Sequence, residues 1–202
     1  IDMPVAIVGD WHGNRIFAES ALTHLKTQHN VEFVLHVGDF GVDFVSTFVN
    51  DMNRVAETLD MHILFIDGNH EDFTHLYSFN VDEDGVRRLR SKVWHLPRGL
   101  RWEWAGITFL ALGGAESINR NPAYMYTNWW PEESLTASDM IRAASGGPVD
   151  VMLTHDCPDL VTIPGLSLNS LSTTVQDRVD AHRRNLGMVV SEVKPTALFH
   201  GH

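Results

Sequence analysis

Short apolar runs and amphipathic stretches alternate over the first part of the chain. The runs at 5–8, 31–37 and 62–66 have the length of buried strands. Between them, apolar residues recur at helical spacing in two stretches, namely Phe17, Ala21 and Leu25 after Asn14, and Phe44, Phe48, Met52, Ala56 and Leu59 after a candidate N-cap at Asp43. Three strands joined by two helices through short connections predict a parallel α/β sheet.

The pattern changes in the middle of the chain. Three short apolar runs separated by proline and glycine predict antiparallel strands at 93–96, 102–104 and 107–112. The stretch 115–133 that follows has no regular period. A loop of this length inside a compact domain is usually functional, so we expect it to contribute to a site.

The last part of the chain again predicts helices and strands. Thr136 and Asp139 fit the capping box of a helix that ends near Ser145. Beyond it, the pattern predicts a strand, a polar linker, a helix interrupted near Gly187 and a final strand, over 149–154, 167–174, 175–193 and 197–200 respectively. There is no internal repeat and no domain boundary, so the 202 residues predict one compact domain.

Composition narrows the classes of partner. The chain has 26 acidic and 15 basic residues and a formal net charge of -11, which disfavours long nucleic acid and anionic membrane surfaces. Cys157 is the only cysteine, which excludes an internal disulfide, and no apolar run reaches the roughly 18–20 residues of a membrane span. These features predict a cytoplasmic protein. Twelve histidines beside many carboxylates indicate metal binding.

Residue types that bind metals follow five of the apolar runs. These strand ends read Gly9-Asp10-Trp11-His12-Gly13, Gly38-Asp39, Gly68-Asn69-His70-Glu71, Thr154-His155 and His200-Gly201-His202. One such residue alone is more often a helix cap or a turn residue, but five strand ends in series are not explained in that way. Ligands of open α/β sheets bind at the carboxyl ends of strands. In an extended segment, Asp10 and His12 would point the same way, and the adjacent glycines would let the backbone approach the ions closely.

This series of motifs resembles the calcineurin-like metallophosphoesterases, whose pattern is Asp-x-His, Gly-Asp, Gly-Asn-His-Glu, a His after a strand, and Gly-His-x-His. The resemblance runs in the same order from Gly9 to His202. It implies an α/β fold, a four-layer α/β/β/α sandwich with mixed parallel and antiparallel sheets, as a single metallophosphoesterase domain over residues 1–202. It also implies two divalent transition-metal ions, with Mn first and Fe, Zn, Ni or Co as alternatives, because mixed nitrogen and oxygen ligands suit several metals.

The resemblance also implies a role for each matching residue. The ligands would be Asp10 and His12 for the first metal, Asp39 as the bridge between both metals, and Asn69, His155 and His202 for the second metal. His70 would act as the general acid and would contact the phosphate together with Asn69. Outside the motifs, Arg120 in the long loop is a candidate phosphate contact.

The end of the chain departs from the family pattern. If Gly201-His202 is the family's Gly-His, the second His of that motif would lie beyond His202. This register implies that a short C-terminal tail is missing and that the first metal site lacks one ligand. In the alternative register, His200 and His202 are both ligands, but the glycine then lies between them. We favour the first register.

A second departure follows the bridging Asp39. Family members often have an Asp three residues after it that orients the catalytic His, whereas Val42 stands there and Asp43 comes one residue late. Asp43 is therefore either the orienting residue or a helix N-cap. Phe44 and Asp67 occupy positions near which the protein Ser/Thr phosphatase branch has arginine, which argues against that branch.

The implied activity is hydrolysis of a small-molecule phosphate ester. The leading hypothesis is a phosphodiesterase acting on nucleotide-like or cyclic nucleotide substrates, by in-line attack of metal-bound hydroxide with His70 assisting the leaving group. The alternatives are a phosphomonoesterase or protein phosphatase of the same fold, and a non-catalytic scaffold. Neither long nucleic acid nor a membrane is an expected partner.

Overall fold

Two β-sheets with helices on their outer faces organise the computed structural model, which describes residues 4–42, 47–162 and 171–202. The strands of the described residues are β1 (Val5–Val8), β2 (Phe33–His36), β3 (His62–Phe65), β4 (Arg87–Arg88), β5 (Val93–His95), β6 (Arg101–Trp104), β7 (Ile107–Leu112), β8 (Val151–Thr154) and β9 (Ala197–Phe199). The α-helices are α1 (Arg15–His29), α2 (Phe48–Leu59), α3 (Phe73–Leu76), α4 (Ala137–Ala144) and α5 (Thr173–Val193).

The first sheet has the strand order β1-β2-β3-β5-β4. Its strands are parallel except for the pair β4 and β5. In register, Val8 lies opposite His36, and His36 lies opposite Phe65. The carboxyl ends of β1, β2 and β3 therefore lie side by side at one edge of the sheet, as the parallel pattern predicts.

The second sheet has the strand order β6-β7-β8-β9, in which only β6 and β7 are antiparallel. The prediction of antiparallel strands was thus incomplete for 93–96, because β5 is antiparallel to β4 but parallel to β3, and for 107–112, because β7 is antiparallel to β6 but parallel to β8. The reason is that an apolar run does not specify its partner. Only the two-residue connection Ala105-Gly106, where both residues have positive φ, dictates a tight antiparallel hairpin.

Three separate apolar cores show that the fold has four layers. Alternate residues of a strand enter different cores, so Val34 packs toward α1 and α2 while Leu35 packs between the sheets. Leu153 reaches the same middle core from β8, whereas its neighbour Met152 packs toward α4 and α5. This order of helices, sheet, sheet and helices confirms the α/β/β/α sandwich.

Helical spacing predicted the buried face of α2 better than that of α1. Phe48, Met52 and Ala56 of α2 are fully buried, as predicted, while Asp43 and Phe44 lie outside the described residues. In α1 the buried residues are Ala18 and Leu22, and Phe17 is 58% exposed. The side chain of Asn14 accepts a hydrogen bond from the N–H of Phe17 at 3.2 Å and caps the helix. In the helix that begins at this point, the side chain of Phe17 faces solvent.

The predicted capping box of α4 is present, with Thr136 and Asp139 each bonding the other's backbone N–H. By contrast, the predicted interruption near Gly187 is wrong, because α5 is continuous. A side chain at Gly187 would collide with the carboxylate of Asp159. Glycine at this position therefore lets the segment that contains Asp159 pack against α5. The predicted linker over 167–174 lies partly outside the described residues, and α5 already begins at Thr173.

A buried ion pair ties the long loop to the end of β3. The guanidinium of Arg98 donates to Asp67 Oδ2 from Nε at 2.8 Å and from Nη2 at 2.6 Å. It also donates to the carbonyls of Glu132, Glu133 and Ser134. Burial alone raises the pKa of Asp67, but the charges and hydrogen bonds of Arg98 and His95 together outweigh it and hold that pKa below the usual range. The loop is thereby fixed against the strand that precedes Asn69.

Among the described residues, no helix combines the length and the apolar composition that crossing a bilayer requires.

Candidate metal centre

Backbone pairing between the first two strands continues past their ends. Val37 donates its N–H to the carbonyl of Val8 at 2.7 Å, and Asp10 donates to Gly38 at 3.0 Å. One step further, the N–H of His12 bonds the carbonyl of Asp39 at 2.8 Å. These hydrogen bonds hold Asp10, His12 and Asp39 in a fixed register at the edge of the sheet.

The backbone of this segment is left-handed rather than extended. Asp10, His12 and Asp39 have φ of 58°, 47° and 54°. The expectation that Asp10 and His12 point the same way along an extended strand end is therefore wrong in its premise. Their metal-binding atoms nevertheless lie within 4.8 Å of one another and of Asp39, because the pairing with β2 curls the segment around that carboxylate. Non-glycine residues in this region cost about 1–3 kcal/mol each and tend to cluster at functional sites.

Glu71 secures the loop that follows Asp39. Its fully buried carboxylate accepts the backbone N–H groups of Phe40 at 2.7 Å, Gly41 at 3.0 Å and Val42 at 2.8 Å. Burial and the nearby charge of Asp39 raise the pKa of Glu71, and these three donors oppose that effect. Glu71 therefore orders the loop over residues 40–42.

The carboxylate of Asp39 lies at the centre of the site. Its Oδ1 accepts the backbone N–H groups of Asn69 at 3.0 Å and His70 at 2.8 Å. Its Oδ2 lies 3.3 Å from Nε2 of His155 and 3.6 Å from Nε2 of His12. Burial alone raises the pKa of Asp39, but the hydrogen bonds and charges of His155 and His70 together outweigh it and lower that pKa overall. Asp39 is therefore ionised at neutral pH.

His155 presents a nitrogen lone pair to this carboxylate when its ring is neutral. Its Nδ1 lies 2.7 Å from the carbonyl of Val37, and because a carbonyl only accepts, Nδ1 carries the hydrogen. Burial lowers the pKa of His155, but the Asp39 carboxylate stabilises a second proton on Nε2. The pKa of His155 is thereby raised to about 9 when no cation is bound. A metal ion would take the place of that proton.

Two overlapping groups of side chains have the spacing of metal sites. One consists of Asp10, His12 and Asp39, and the other of Asp39, His155 and His202. Three candidate ligand atoms are buried: Asn69 Oδ1 has no hydrogen-bond partner among the described residues, and Asp39 Oδ2 and His155 Nε2 face each other at 3.3 Å with no partner outside the site. Buried polar atoms without partners are rare in folded proteins, so these atoms fit a bound cation. Because both groups share Asp39, the arrangement suits two cations bridged by one carboxylate.

The structure brings His202, and not His200, to this centre. The backbone N–H of His202 donates to Asp10 Oδ1 at 3.3 Å, and that of Gly201 donates to the carbonyl of His155 at 3.1 Å. His200 is exposed, and its Nδ1 lies 2.8 Å from the carbonyl of Gly201. This placement agrees with the register in which His202 is a ligand and His200 is not.

The glycines at these strand ends make room for the ligands themselves. A Cβ at Gly38 would collide with the ring of His155, and one at Gly68 would collide with Asp39. These glycines thus allow close packing of one ligand segment against another.

Arg120, the candidate phosphate contact, is bound by two carboxylates. Its Nε donates to Glu133 Oε1 at 2.5 Å, and its Nη2 donates to Glu116 Oε2 at 2.9 Å. Its side chain is 14% exposed. The positive charge of Arg120 is therefore already balanced within the loop. Asp43, the other residue with an open role, lies outside the described residues.

His36 packs against aromatic side chains next to the site. Its ring is fully buried 4.7 Å from the ring of Trp11 and 5.3 Å from that of Phe40. Neither ring nitrogen has a hydrogen-bond partner among the described residues. Burial lowers the pKa of His36 to about 3, so the ring is neutral at neutral pH.

Sequence reasoning missed two residues that support the candidate ligand Asn69, one by direct contact and the other through the first. The side-chain amide of Asn69 donates to Ser117 Oγ at 2.9 Å, and Ser117 Oγ donates to Glu133 Oε2 at 2.9 Å. Ser117 and Glu133 belong to the irregular stretch 115–133, where no periodicity or motif marks them. The only available signal was the length of that loop.

Comparisons with known proteins agree with this geometry. The family model described as calcineurin-like phosphoesterase matches residues 3–202. Among solved structures, the crystal structure of TT1561 of Thermus thermophilus is similar, with a TM-score of 0.59 and 11% sequence identity, over 97% of this chain and 80% of that chain. At that identity the likeness shows the fold alone. A search of curated proteins gives no significant match.

The family match covers nearly the whole chain, and its fold is the sandwich described above. The chain therefore belongs to the calcineurin-like phosphoesterase family, which implies metal-dependent hydrolysis of phosphoesters.

Proposed function

We propose that this protein is a dinuclear-metal phosphodiesterase that acts on small, nucleotide-like substrates. The observation that carries the proposal is the pair of ligand groups that share Asp39. Asp10 and His12 would hold one cation, and the buried atoms of Asn69 and His155, with His202, would hold the other, while Asp39 would touch both; we leave the choice between Mn and other metals to experiment. Two such divalent cations supply Lewis acidity at phosphoryl oxygens and lower the pKa of water.

The protein's own groups position this chemistry and assist the leaving group. Asp39 uses one oxygen to fix the backbone of His70 and leaves the other for the cations. The ring of His70 lies 5.4 Å from the ring of His12, beside the first ligand group. Burial lowers the pKa of His70, Asp39 opposes this, and His12 and His155 add to it. We therefore assign the imidazole N–H of His70 the task of stabilising or protonating the leaving oxygen.

The charge available in the loop favours a diester over a monoester. A phosphate monoester carries a charge of about -1.5 to -2 at neutral pH, whereas a diester carries one negative charge. Arg120 is already engaged by Glu116 and Glu133, so it adds no free cation for a second charge. The formal net charge of -11 further disfavours a polymeric nucleic acid substrate. Tyr124 and Tyr126, both exposed in the same loop, offer ring faces to a nucleobase.

Metal content tests the dinuclear centre directly. The wild-type protein should bind two equivalents of Mn²⁺, and EDTA should abolish its phosphoesterase activity until Mn²⁺ is restored. Asp39→Asn should lose both ions and the activity, because it removes the charge common to the two groups. Elemental analysis and turnover after metal reconstitution measure these effects. Asp177→Asn, an exposed change of the same charge on α5, is the matched control; a wild-type protein without bound metal or EDTA-sensitive turnover would refute the proposal.

Removal of the His70 side chain separates catalysis from metal binding. His70→Ala should keep both metal ions and lose about 100- to 10,000-fold in kcat, the usual contribution of general acid–base help. Steady-state kinetics with parallel metal analysis provides the measurement. His24→Ala, on the exposed face of α1, should behave as wild type. An unchanged kcat in His70→Ala would remove this residue from the mechanism.

A pair of aryl substrates decides between ester classes. With Mn²⁺ present, kcat/KM for bis(p-nitrophenyl) phosphate should exceed that for p-nitrophenyl phosphate by about tenfold or more, a difference of about 1.4 kcal/mol in transition-state stabilisation. A preference for the monoester would contradict the diester assignment and support a phosphomonoesterase of the same fold.

A further inference from the structure

We propose that Ser117 and Glu133 are positioning residues that orient the side chain of Asn69 toward the second metal, an inference that rests on the proposed function. Asn69 Nδ2 donates to Ser117 Oγ at 2.9 Å, and Ser117 Oγ donates to Glu133 Oε2 at 2.9 Å. All three side chains are buried, with residue exposures of 1%, 3% and 0% respectively. Solvent therefore does not compete for these hydrogen bonds.

The direction of each hydrogen bond in this series is fixed by chemistry. A carboxylate only accepts, so the single hydrogen of the Ser117 hydroxyl goes to Glu133. The Ser117 oxygen then accepts, and the Asn69 atom facing it must be the donating NH₂ group. The amide oxygen of Asn69 is left over, buried and without a partner among the described residues. Of the two ends of the amide, the oxygen is the one that binds a cation.

Glu133 has the surroundings of an ionised carboxylate, which the series requires. Its Oε1 accepts the backbone N–H of Ser117 at 3.1 Å and Nε of Arg120 at 2.5 Å, while Oε2 accepts the Ser117 hydroxyl. Burial raises the pKa of Glu133, and the charge of Arg120 opposes this. Arg120 is in turn held by Glu116 at 2.9 Å. The loop thus places its arginine on Glu133, where it supports the metal ligand from behind.

The replacement Glu133→Gln should reverse the polarity of the series. If the new amide NH₂ donates to Ser117 Oγ, the hydroxyl hydrogen turns toward Asn69. The Asn69 amide must then rotate to accept it, which presents NH₂ to the cation in place of oxygen. An isosteric, uncharged change two residues removed from the metal is therefore expected to weaken binding of the second ion.

Metal titration of Ser117 variants tests the positioning role. In Ser117→Ala the affinity for the second Mn²⁺ should fall about 10- to 100-fold, the usual effect of losing a partner of a metal ligand, and the first ion should bind as in wild type. Ser117→Thr keeps the hydroxyl and should restore most of the affinity. Isothermal titration calorimetry and Mn²⁺ EPR report the binding, and circular dichroism melting verifies the fold. Ser145→Ala, which removes the exposed hydroxyl at the end of α4, is the matched control.

The outcomes separate this inference from the proposed function. A wild-type protein that binds no metal would refute both. A wild-type protein that binds two ions, together with unchanged second-site affinity in folded Ser117→Ala and Glu133→Gln, would leave the dinuclear centre standing and overturn the positioning role.

A separate observation carries a second proposal, because a cavity of about 570 Å³ is lined by four arginines and by none of the candidate metal ligands. Arg98 is bonded to the buried Asp67, and Arg142 pairs with Asp139 at 2.6 Å. These two charges are balanced. The other two arginines of the cavity are Arg87 and Arg101.

Arg87 and Arg101 have no carboxylate partner among the described residues. Arg87 donates to the carbonyl of Phe79 at 2.9 Å and to Nδ1 of His95 at 2.7 Å. Arg101 donates to the carbonyls of Ala143 at 2.8 Å and Gly147 at 2.7 Å. Carbonyl and imidazole dipoles orient these guanidinium groups but do not neutralise them. The cavity therefore keeps two uncompensated positive charges in a chain whose net charge is -11.

His95 does not add or remove charge in this cavity. Because the Arg87 guanidinium only donates, Nδ1 of His95 accepts, and Nε2 carries the hydrogen that it donates to Asp67 at 3.1 Å. Burial lowers the pKa of His95 although Asp67 raises it, which agrees with a neutral ring. The positive charge of the cavity is thus that of the arginines at any pH near neutrality.

The geometry points to a binding site for a small phosphate-bearing molecule of about mononucleotide size. Guanidinium groups bind phosphate through two parallel N–H donors. The volume lies within the range of about 300–1,000 Å³ that small-molecule sites occupy. Leu100, Pro97, Val81 and the ring of Tyr77 supply apolar wall on the same cavity, which suits the organic part of such a ligand.

Binding in the presence of EDTA tests this cavity apart from the metal centre. Adenosine monophosphate and inorganic phosphate serve as probes, and calorimetry measures their affinity. Arg87→Gln and Arg101→Gln should each weaken binding about tenfold or more, the effect of one charge-assisted hydrogen bond. Arg184→Gln, the same change at an exposed site on α5, should not. Binding of phosphate but not of the nucleotide would restrict the site to the free anion; no binding of either probe, or wild-type affinity in both cavity variants, would overturn the proposal.

Discussion

A single buried charge, the carboxylate of Asp39, is the constraint on which the rest of the site depends. One of its oxygens is held by the backbone of Asn69 and His70, and the other faces His12 and His155. Removing an ionised carboxylate from water is costly unless donors or cations compensate it. Here the compensation comes from the ends of three further strands in two different sheets. The charge of Asp39 is therefore compensated by residues of both sheets, so the site depends on how the two sheets are stacked.

The local backbone is costly, and the surrounding structure is built to maintain it. Asp10, His12 and Asp39 all occupy the left-handed region, at about 1–3 kcal/mol each. Continued pairing of β1 with β2 fixes the carbonyl and N–H groups on both sides of these residues. Glu71 then binds three successive N–H groups beyond Asp39. Glu71 thus has a structural role. Its hydrogen bonds to the loop after Asp39 explain why a buried acid directly follows Asn69 and His70.

The sequence predicted those features that are encoded locally. Helical spacing identified Phe48, Met52 and Ala56 as the buried face of α2. The capping pair of Thr136 and Asp139 predicted the start of α4. Strand pairing was predicted only in part: the parallel pairs of β1, β2 and β3 were, but the parallel partners of β5 and β7 were not, because these two strands have the same local pattern and join different sheets. Within the site, ligand candidates were visible because each directly follows an apolar run. Ser117 escaped because it lies 48 residues from the amide it supports, and hydrogen-bond direction depends on tertiary contacts.

The arginines show that a count of charged residues does not give the charge of a site. Arg120 looked available for phosphate, yet Glu116 and Glu133 neutralise it, so it serves the interior of the loop. Arg87 and Arg101 attracted no notice in the sequence, yet backbone and imidazole dipoles hold them without a counter-charge. The metal centre would obtain its positive charge from bound cations, whereas the cavity has the positive charges of its own arginines. An anion would therefore meet two separate positive sites on one acidic chain, and only the first of them would respond to a chelator.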